Sequence, residues 1–186
     1  MSNSRVNFTE AVYAADAVIG RITVDQLDNP TPCDEWTVRE LVAHMCGPLA
    51  AITHMANTGQ VADPTQPVAG DDPLETWEQC RRDLLVAIDR PGATDQVGEF
   101  WFGESSINDI LDFALWDPLV HSWDLATATQ QRHHVSDQLV EASRAVIEPS
   151  AEMLRDSGMM AEAVGVTGTE TPMEAFAAIT GRNPRG

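Results

Sequence analysis

Apolar residues recur every three or four positions along four stretches of the chain, and each stretch has a clear boundary. Residues 8–28 carry this spacing and stop before an Asn-Pro pair. A second stretch opens at the capping box formed by Thr37 and Glu40, and a third covers residues 72–90. The fourth covers residues 107–129. This pattern predicts four helices of about 18–23 residues each.

Two further helices are predicted beyond these four. Ser136 is a suitable cap for a helix that runs to about residue 158, and Thr171 and Glu174 form a capping box before a short helix. Short or polar links favour antiparallel neighbours. The predicted fold class is therefore all-α: an antiparallel four-helix bundle in residues 1–158, with a short C-terminal helical extension, residues 159–186, packed on it.

Two segments between the helices lack helical spacing. Residues 57–72 are rich in Gly, Pro, Asp and Gln, which predicts a flexible loop long enough to be a lid or an insertion. Residues 97–103 hold Phe100, Trp101 and Phe102 between glycines. This aromatic segment is either extended or a loop that covers the core, and the covering loop is the more common arrangement.

The apolar side of the helix predicted over residues 107–129 carries two polar residues at its middle. Asp117 and His121 lie four positions apart, so both side chains point to one place on the helix surface. A buried carboxylate is costly unless it is paired or bound to a metal. Three interpretations of the pair are open. The two side chains bind a cation, or Asp117 orients a core imidazole, or both side chains are simply solvated. Pro118 predicts a bend in this helix or a junction of two helices.

Composition narrows the classes of partner. The formal net charge is −18, and the 11 basic residues are all Arg and are scattered. Such a surface repels phosphate backbones, so we expect neither nucleic acid nor an anionic membrane as a partner. No apolar run reaches the roughly 20 residues of a membrane-spanning helix. Three widely spaced cysteines without a CxxC pair favour reduced thiols and a cytoplasmic location.

One residue of the second helix completes a candidate site. His44 borders the apolar side of that helix, and taken alone it is best interpreted as half-buried with one hydrogen bond. Inward side chains of facing helices meet in a bundle, so His44, Asp117 and His121 are expected to form a two-His, one-carboxylate metal site. Three protein ligands leave a position for water or substrate and suit zinc, iron or nickel. His54 and Cys46 are poorly placed to add a fourth ligand. The remaining alternative is a helical bundle that binds no metal, which requires His44, Asp117 and His121 to lie far apart.

The neighbouring polar residues have simpler interpretations. His133 and His134 follow a polar turn and are expected to be solvated surface histidines. Asp124, one turn after His121, is either a solvated residue or the group that orients the second ring nitrogen of His121.

Three motifs of the chain resemble those of one protein family. Residues 31–44 are TPCDEWTVRELVAH, residues 117–126 are DPLVHSWDLA, and residues 181–184 are GRNP. They resemble actinobacterial metal-binding proteins related to mycothiol-dependent maleylpyruvate isomerase, within the DinB/YfiT-like superfamily of four-helix bundles. The likeness runs over nearly the whole chain.

The resemblance implies a three-ligand metal site, usually taken as zinc, at His44, Asp117 and His121. Two departures from the family pattern concern this site: the isomerase has Glu where this chain has Asp117, and Pro118 is not expected there. The isomerase also has a further C-terminal domain that this chain is expected to lack or to have in reduced form. Isomerase activity itself is therefore not carried over.

Two functions follow as hypotheses. The leading one is a divalent-metal-binding protein, zinc first with nickel or iron as alternatives, that acts as a transferase or isomerase on a low-molecular-weight thiol conjugate. The resemblance implies mycothiol as the co-substrate. The alternative is a non-enzymatic bundle that binds a metal or a small ligand. Bundles of this kind often pair through an apolar outer face, so a homodimer is one expected state.

Overall fold

The protein is mostly helical, with one small sheet. The computed structural model describes residues 3–33, 36–100 and 102–184, so Asp34, Glu35 and Trp101 of the motifs above lie outside the described residues. The α-helices in these ranges are α1 Ser4–Ile19, α2 Val38–Thr58, α3 Pro73–Asp89, α4 Ile107–Phe113, α5 Trp116–Ala128, α6 Asp137–Ile147, α7 Ala151–Asp156 and α8 Pro172–Ile179. The strands are β1 Val97–Phe100 and β2 Gly103–Ser106.

The all-α prediction is correct for most of the chain and wrong for residues 97–106. There β1 and β2 pair antiparallel, with Val97 opposite Ser106 and Phe100 opposite Gly103. Gly103 has φ 116°, which glycine adopts without the steric cost of a Cβ, and this conformation turns the chain back after Phe100. The extended alternative for the aromatic segment is therefore confirmed, whereas the four-helix bundle stays a prediction.

The central stretch is a junction of two helices. Helix α4 ends at Phe113, and α5 begins at Trp116. Pro118 is the third residue of α5, in the first turn, where backbone N–H groups have no intrahelical partner. The carbonyl of Ala114 accepts from the N–H of Asp117 at 3.2 Å. Pro118 therefore removes no hydrogen bond from the helix interior, and it is compatible with the start of α5.

Two other helices are shorter than predicted. The stretch after Ser136 divides into α6 and α7 around a short 3₁₀ turn, Glu148–Ser150, which contains Pro149. Proline lacks an N–H and cannot continue an α-helical ladder there. Helix α1 ends at Ile19, well before residue 28. The predicted side-chain caps are present at Thr37, Ser136 and Thr171, and Asp72 and Ser106 also cap their helices.

Helix packing brings the two candidate site elements together. Helix α2 packs along α3, α1 packs against α5, and α2 also contacts α5. Helix α8, in the C-terminal part, contacts α5 and α6. The largest fully buried side chains of this core are Trp77, Phe8, Phe176, Leu41, Met45 and Leu49. Across the described ranges, every helix is too short or too polar to cross a membrane.

The loop after α2 lies directly on that helix. Gly59 ends α2 in the left-handed conformation, with φ 73°. A Cβ on Gly47 would lie 2.2 Å from the carbonyl oxygen of Pro64, and a Cβ on Gly98 would lie 2.5 Å from Cγ2 of Val61. Both glycines therefore permit the loop to approach α2 and β1 more closely than any side chain would allow.

We predict that Gly47→Ala destabilises the protein by about 1–3 kcal/mol, the usual range for overpacking a closed site. Helix propensity alone predicts the opposite sign, since Ala in a helix interior is favoured over Gly by about 1 kcal/mol. Gly165→Ala is the control, because none of the described residues beyond its chain neighbours has an atom within 4 Å of its Cβ position. Urea denaturation measures both variants, and a Gly47→Ala protein as stable as the wild type would contradict the close contact with Pro64.

Candidate metal centre

The three predicted ligands come from two helices. The capping box of Thr37 and Glu40 fixes the start of α2, and apolar residues of the next two turns, such as Leu41, are buried in the core. His44 lies at the edge of that buried side, with 29% of its side chain exposed. Asp117 in the first turn of α5 is 16% exposed, and His121 one turn later is 5% exposed. The site therefore opens towards solvent on the His44 side.

The structure brings these three side chains together. Oδ1 of Asp117 lies 3.6 Å from Nε2 of His44 and 3.5 Å from Nε2 of His121. The candidate ligand atoms of the three residues all lie within 4.8 Å of one another. A tetrahedral zinc ion with bonds of about 2.0–2.1 Å separates its ligand atoms by about 3.3–3.4 Å. The donor set therefore fits such an ion with shifts of a few tenths of an ångström at the two measured separations.

A second layer of polar contacts fixes the imidazole of His121. Nδ1 of His121 lies 3.1 Å from Oδ2 of Asp124, which is fully buried. Arg182 donates to Asp124 from Nη2 at 2.8 Å and from Nε at 3.2 Å, and it also donates to the carbonyl of Thr180. With Nδ1 turned towards Asp124, Nε2 of His121 faces Asp117. The orienting alternative for Asp124 is confirmed.

Arg182 is the residue that sequence reasoning missed. It is 7% exposed and comes from the GRNP motif after α8. Gly181 before it has φ 94°, and a Cβ there would lie 2.5 Å from Cβ of Ala161. This turn directs Arg182 back to α5. The signal in the sequence is an Arg that follows a glycine in the GRNP motif, but spacing alone does not identify its partner.

Burial and ionic contacts act in opposite directions on these groups. Burial alone would lower the pKa of His121, but the charge of Asp117 and hydrogen bonds to Asp117 and Asp124 raise it to about 9. Burial alone would raise the pKa of Asp117, yet the charge and hydrogen bond of His121, with contributions from His44, hold it well below its usual range. The pKa of Asp124 is also lowered against burial, by His121 and Arg182. Both carboxylates are therefore ionised at neutral pH.

Trp36 holds the more exposed imidazole in place. Its ring stacks on that of His44 with centroids 4.2 Å apart, and it meets His121 edge-on at 5.8 Å. Trp36 immediately precedes the cap residue of α2, so the same local structure that starts the helix also covers the site. Stacking of this kind restricts the His44 ring to one face of the cluster.

Cys33 lies on the opposite side of His121. Cys33, His121 and Asp124 form another group whose candidate ligand atoms lie within 4.8 Å of one another. The guanidinium of Arg182 already lies against Asp124, and a second cation between them would be repelled. The group with Asp117 is therefore the better candidate for a metal.

The remaining histidines and cysteines are placed elsewhere. His54 is exposed, and Cys46 is buried and donates to the carbonyl of Val42. His134 is exposed as predicted. The prediction is wrong for His133, whose Nε2 lies 2.8 Å from Oγ of Ser122. Burial and the nearby charge of His134 lower its pKa to about 4, so it is neutral at pH 7.

We predict that Arg182→Gln destabilises the protein by about 3–5 kcal/mol, because it removes the guanidinium that, together with His121, compensates the buried carboxylate of Asp124. The matched control is Arg144→Gln, which removes an exposed contact with Glu148 and should cost about 0–1 kcal/mol. Urea denaturation of the two variants measures the difference. Equal effects would show that Arg182 does not compensate the burial of Asp124.

Comparison with known proteins places the chain in a family. The family model for the mycothiol maleylpyruvate isomerase N-terminal domain matches residues 8–126. Two uncharacterised proteins from two strains of Mycobacterium tuberculosis are each 30% identical to the chain over 138 residues, which covers 72% of this chain and 73% of theirs. No solved structure gives a significant match. The match to the family model spans well over half of the chain and includes all three candidate ligands, and the chain therefore belongs to the mycothiol maleylpyruvate isomerase N-terminal domain family.

Proposed function

We propose that this protein binds one divalent metal ion through Nε2 of His44, the carboxylate of Asp117 and Nε2 of His121. The observation that carries the proposal is the convergence of these three side chains from two helices. Two imidazoles and one carboxylate are a common donor set for zinc, and iron or nickel also accept it. The shorter Asp117 replaces the Glu of the isomerase, and its position in the first turn of α5 still brings it within 3.6 Å of both ring nitrogens.

The ion is proposed to keep one coordination position for a ligand. Among the residues that the structure describes, no fourth His, Cys, Asp or Glu joins the group of His44, Asp117 and His121. An open position is typical of catalytic rather than structural metal sites. When bound, the ion supplies a Lewis acid that keeps a coordinated small thiol deprotonated, and therefore nucleophilic, near neutral pH.

The protein is accordingly proposed to be a thiol-dependent transferase or isomerase. The family name supports a mycothiol-like co-substrate. His44 and Asp117 would bind the ion at the solvent side, while Asp124 and Arg182 hold the imidazole of His121 in the orientation that binding requires. The alternative, a metal-binding protein without catalysis, uses the same three ligands.

The scaffold is proposed to be a four-helix bundle formed by α1, α2, α3 and the consecutive pair α4 and α5. Residues 159–186 are proposed to be an extension of the unit formed by residues 1–158. Two observations support the packing of this extension on the unit: α8 contacts α5 and α6, and Arg182 of the extension donates to Asp124 of the unit.

We predict that His44→Ala, Asp117→Asn and His121→Ala each weaken zinc binding by more than about 100-fold. Loss of a residue that only orients a ligand typically weakens metal binding by about 10–100-fold. Asp124→Asn should show that smaller loss. His54→Ala, on the same helix as His44 but exposed, is the matched control and should bind zinc like the wild type. Competition with a chromophoric chelator measures the affinities. Unchanged binding in His44→Ala and His121→Ala would contradict the site.

The same titration tests the charge of His121. Its pKa of about 9 means that zinc must displace a proton from this imidazole at lower pH. The apparent zinc affinity should therefore rise with pH, by about tenfold per unit at most for one displaced proton, and level off above about pH 9. Calorimetry in two buffers of different ionisation enthalpy counts the released protons, and zinc binding without proton release would contradict the proposed charge state.

The proposed transferase or isomerase activity is tested by incubating the zinc-loaded protein with mycothiol and a panel of electrophiles. We predict turnover that requires the thiol, is retained in His54→Ala and is lost in His121→Ala, because only the latter removes a ligand. Product formation is followed by chromatography of the thioether or the isomerised product. Stoichiometric zinc binding without thiol-dependent turnover across the panel would favour the non-catalytic alternative.

A further inference from the structure

A cavity of about 500 Å³ adjoins the candidate metal centre, and Asp117 is part of its wall. The middle of α2 forms one side, and the junction of α4 and α5 forms another, with Ala114 at the turn between them. The hairpin and residues 61–64 of the loop close the remaining sides. Its volume lies within the range of about 300–1,000 Å³ that is usual for small-molecule sites. Asp117 therefore belongs both to the candidate metal centre and to the wall of the cavity.

The walls of this cavity are mainly hydrocarbon. Pro48, Ile52 and Met55 of α2 face Ile110 and Phe113 of α4 across it. Removal of an apolar ligand from water into such a cavity is favourable in proportion to the area that it buries. The walls alone therefore favour a ligand with an apolar body.

Aromatic rings continue this surface to the mouth. The ring of Phe102 lies 5.3 Å from that of Phe100 and 5.7 Å from that of Phe113, measured between centroids. Phe102 is 41% exposed, so part of this aromatic surface is in contact with solvent. A planar or branched hydrocarbon group of a ligand would cover it.

The charges around the cavity are all of one sign. Its charged lining residues within the described ranges are Asp63, Glu99 and Asp117, and none of the described lining residues is basic. Asp63 accepts hydrogen bonds from Thr65 and Gln66, which keep its carboxylate at the rim. A ligand with two carboxylates would face Asp63 and Glu99 without a guanidinium or ammonium partner, at a cost in free energy. Charge complementarity therefore selects against dianionic ligands.

We propose that this cavity binds the uncharged, apolar body of the electrophilic substrate whose reactive group reaches the metal centre. The ligand class is a neutral aromatic or branched aliphatic compound, and dicarboxylates of the maleylpyruvate type are excluded. The proposal rests on the proposed function for the reactive end of the ligand. The inference about the apolar end of the ligand rests on the cavity alone and is tested separately.

The first test measures the cavity in metal-free protein. The neutral dye N-phenyl-1-naphthylamine should bind one to one, with a rise in its fluorescence, and benzyl alcohol should displace it while maleate should not. Ala51 of α2 lines the cavity, so Ala51→Phe fills it and should weaken dye binding about tenfold or more. Ala50→Phe is the matched control, since Ala50 is also half-buried on α2 and does not line the cavity.

A second variant controls for misfolding of Ala51→Phe. Phe102→Ala changes an exposed residue of the hairpin, should leave the circular dichroism spectrum unchanged, and should also weaken dye binding. Dye binding that is equal in the wild type, Ala51→Phe and Phe102→Ala would overturn the proposal. Dye binding only by a dimer, with loss on dilution to the monomer, would assign this face to a second copy of the chain and would also overturn it.

The second test uses the cobalt-loaded protein, in which a coordinated thiolate gives a charge-transfer absorption band. Benzyl mercaptan should bind about tenfold or more tighter than mercaptosuccinate, and Ala51→Phe should remove this preference without a change in cobalt affinity. Cobalt binding with tighter binding of mercaptosuccinate would overturn the inference and leave the metal site intact. Absence of cobalt binding would refute the proposed function, and the dye experiment would then decide on the cavity.

Discussion

Two carboxylates on one buried face of α5 must be compensated, and the contacts that do so connect the distant parts of the chain. Asp124 is fully buried, and Asp117 is mostly so. An isolated carboxylate in such a place would be neutralised or would unfold its surroundings. Here His121 lies between the two, with one ring nitrogen towards each. The orientation of this imidazole is therefore determined by charge on both sides.

The partners of these carboxylates come from both ends of the fold. His44 and the stacked Trp36 come from the start of α2, and Arg182 comes from the segment after α8. The region that matches the family model ends at residue 126 and does not include Arg182. The C-terminal segment of this chain therefore contributes a buried cation to a site whose candidate ligands all lie in the family domain. Loss of that segment would affect the site through Asp124, not through direct contact with a metal.

Much of this arrangement is predictable from local spacing. An Asp and a His four positions apart on a helix share one face, and capping boxes such as Thr37–Glu40 fix where helices begin. The position of Arg182 is not predictable from local spacing, because its contact with Asp124 joins residues 58 positions apart. This contact also depends on how the chain turns at Gly181. The sequence alone does not determine the hairpin of residues 97–106, because a short aromatic run between glycines is compatible with a strand or a loop. Pro118 was compatible with a bend or a junction, and only the break at Ala114 and Leu115 decides between them.

The central claim is that the ring nitrogens of His44 and His121 and a carboxylate oxygen of Asp117 bind one metal ion. X-ray absorption at the zinc edge of the zinc-loaded protein tests it most directly, since it identifies the ligand atoms and their distances. We predict two imidazole nitrogens and carboxylate oxygen at about 2.0–2.2 Å, with no sulfur ligand before a thiol is added. A sulfur ligand at about 2.3 Å in the thiol-free protein would contradict this account and would assign the ion to the group that contains Cys33.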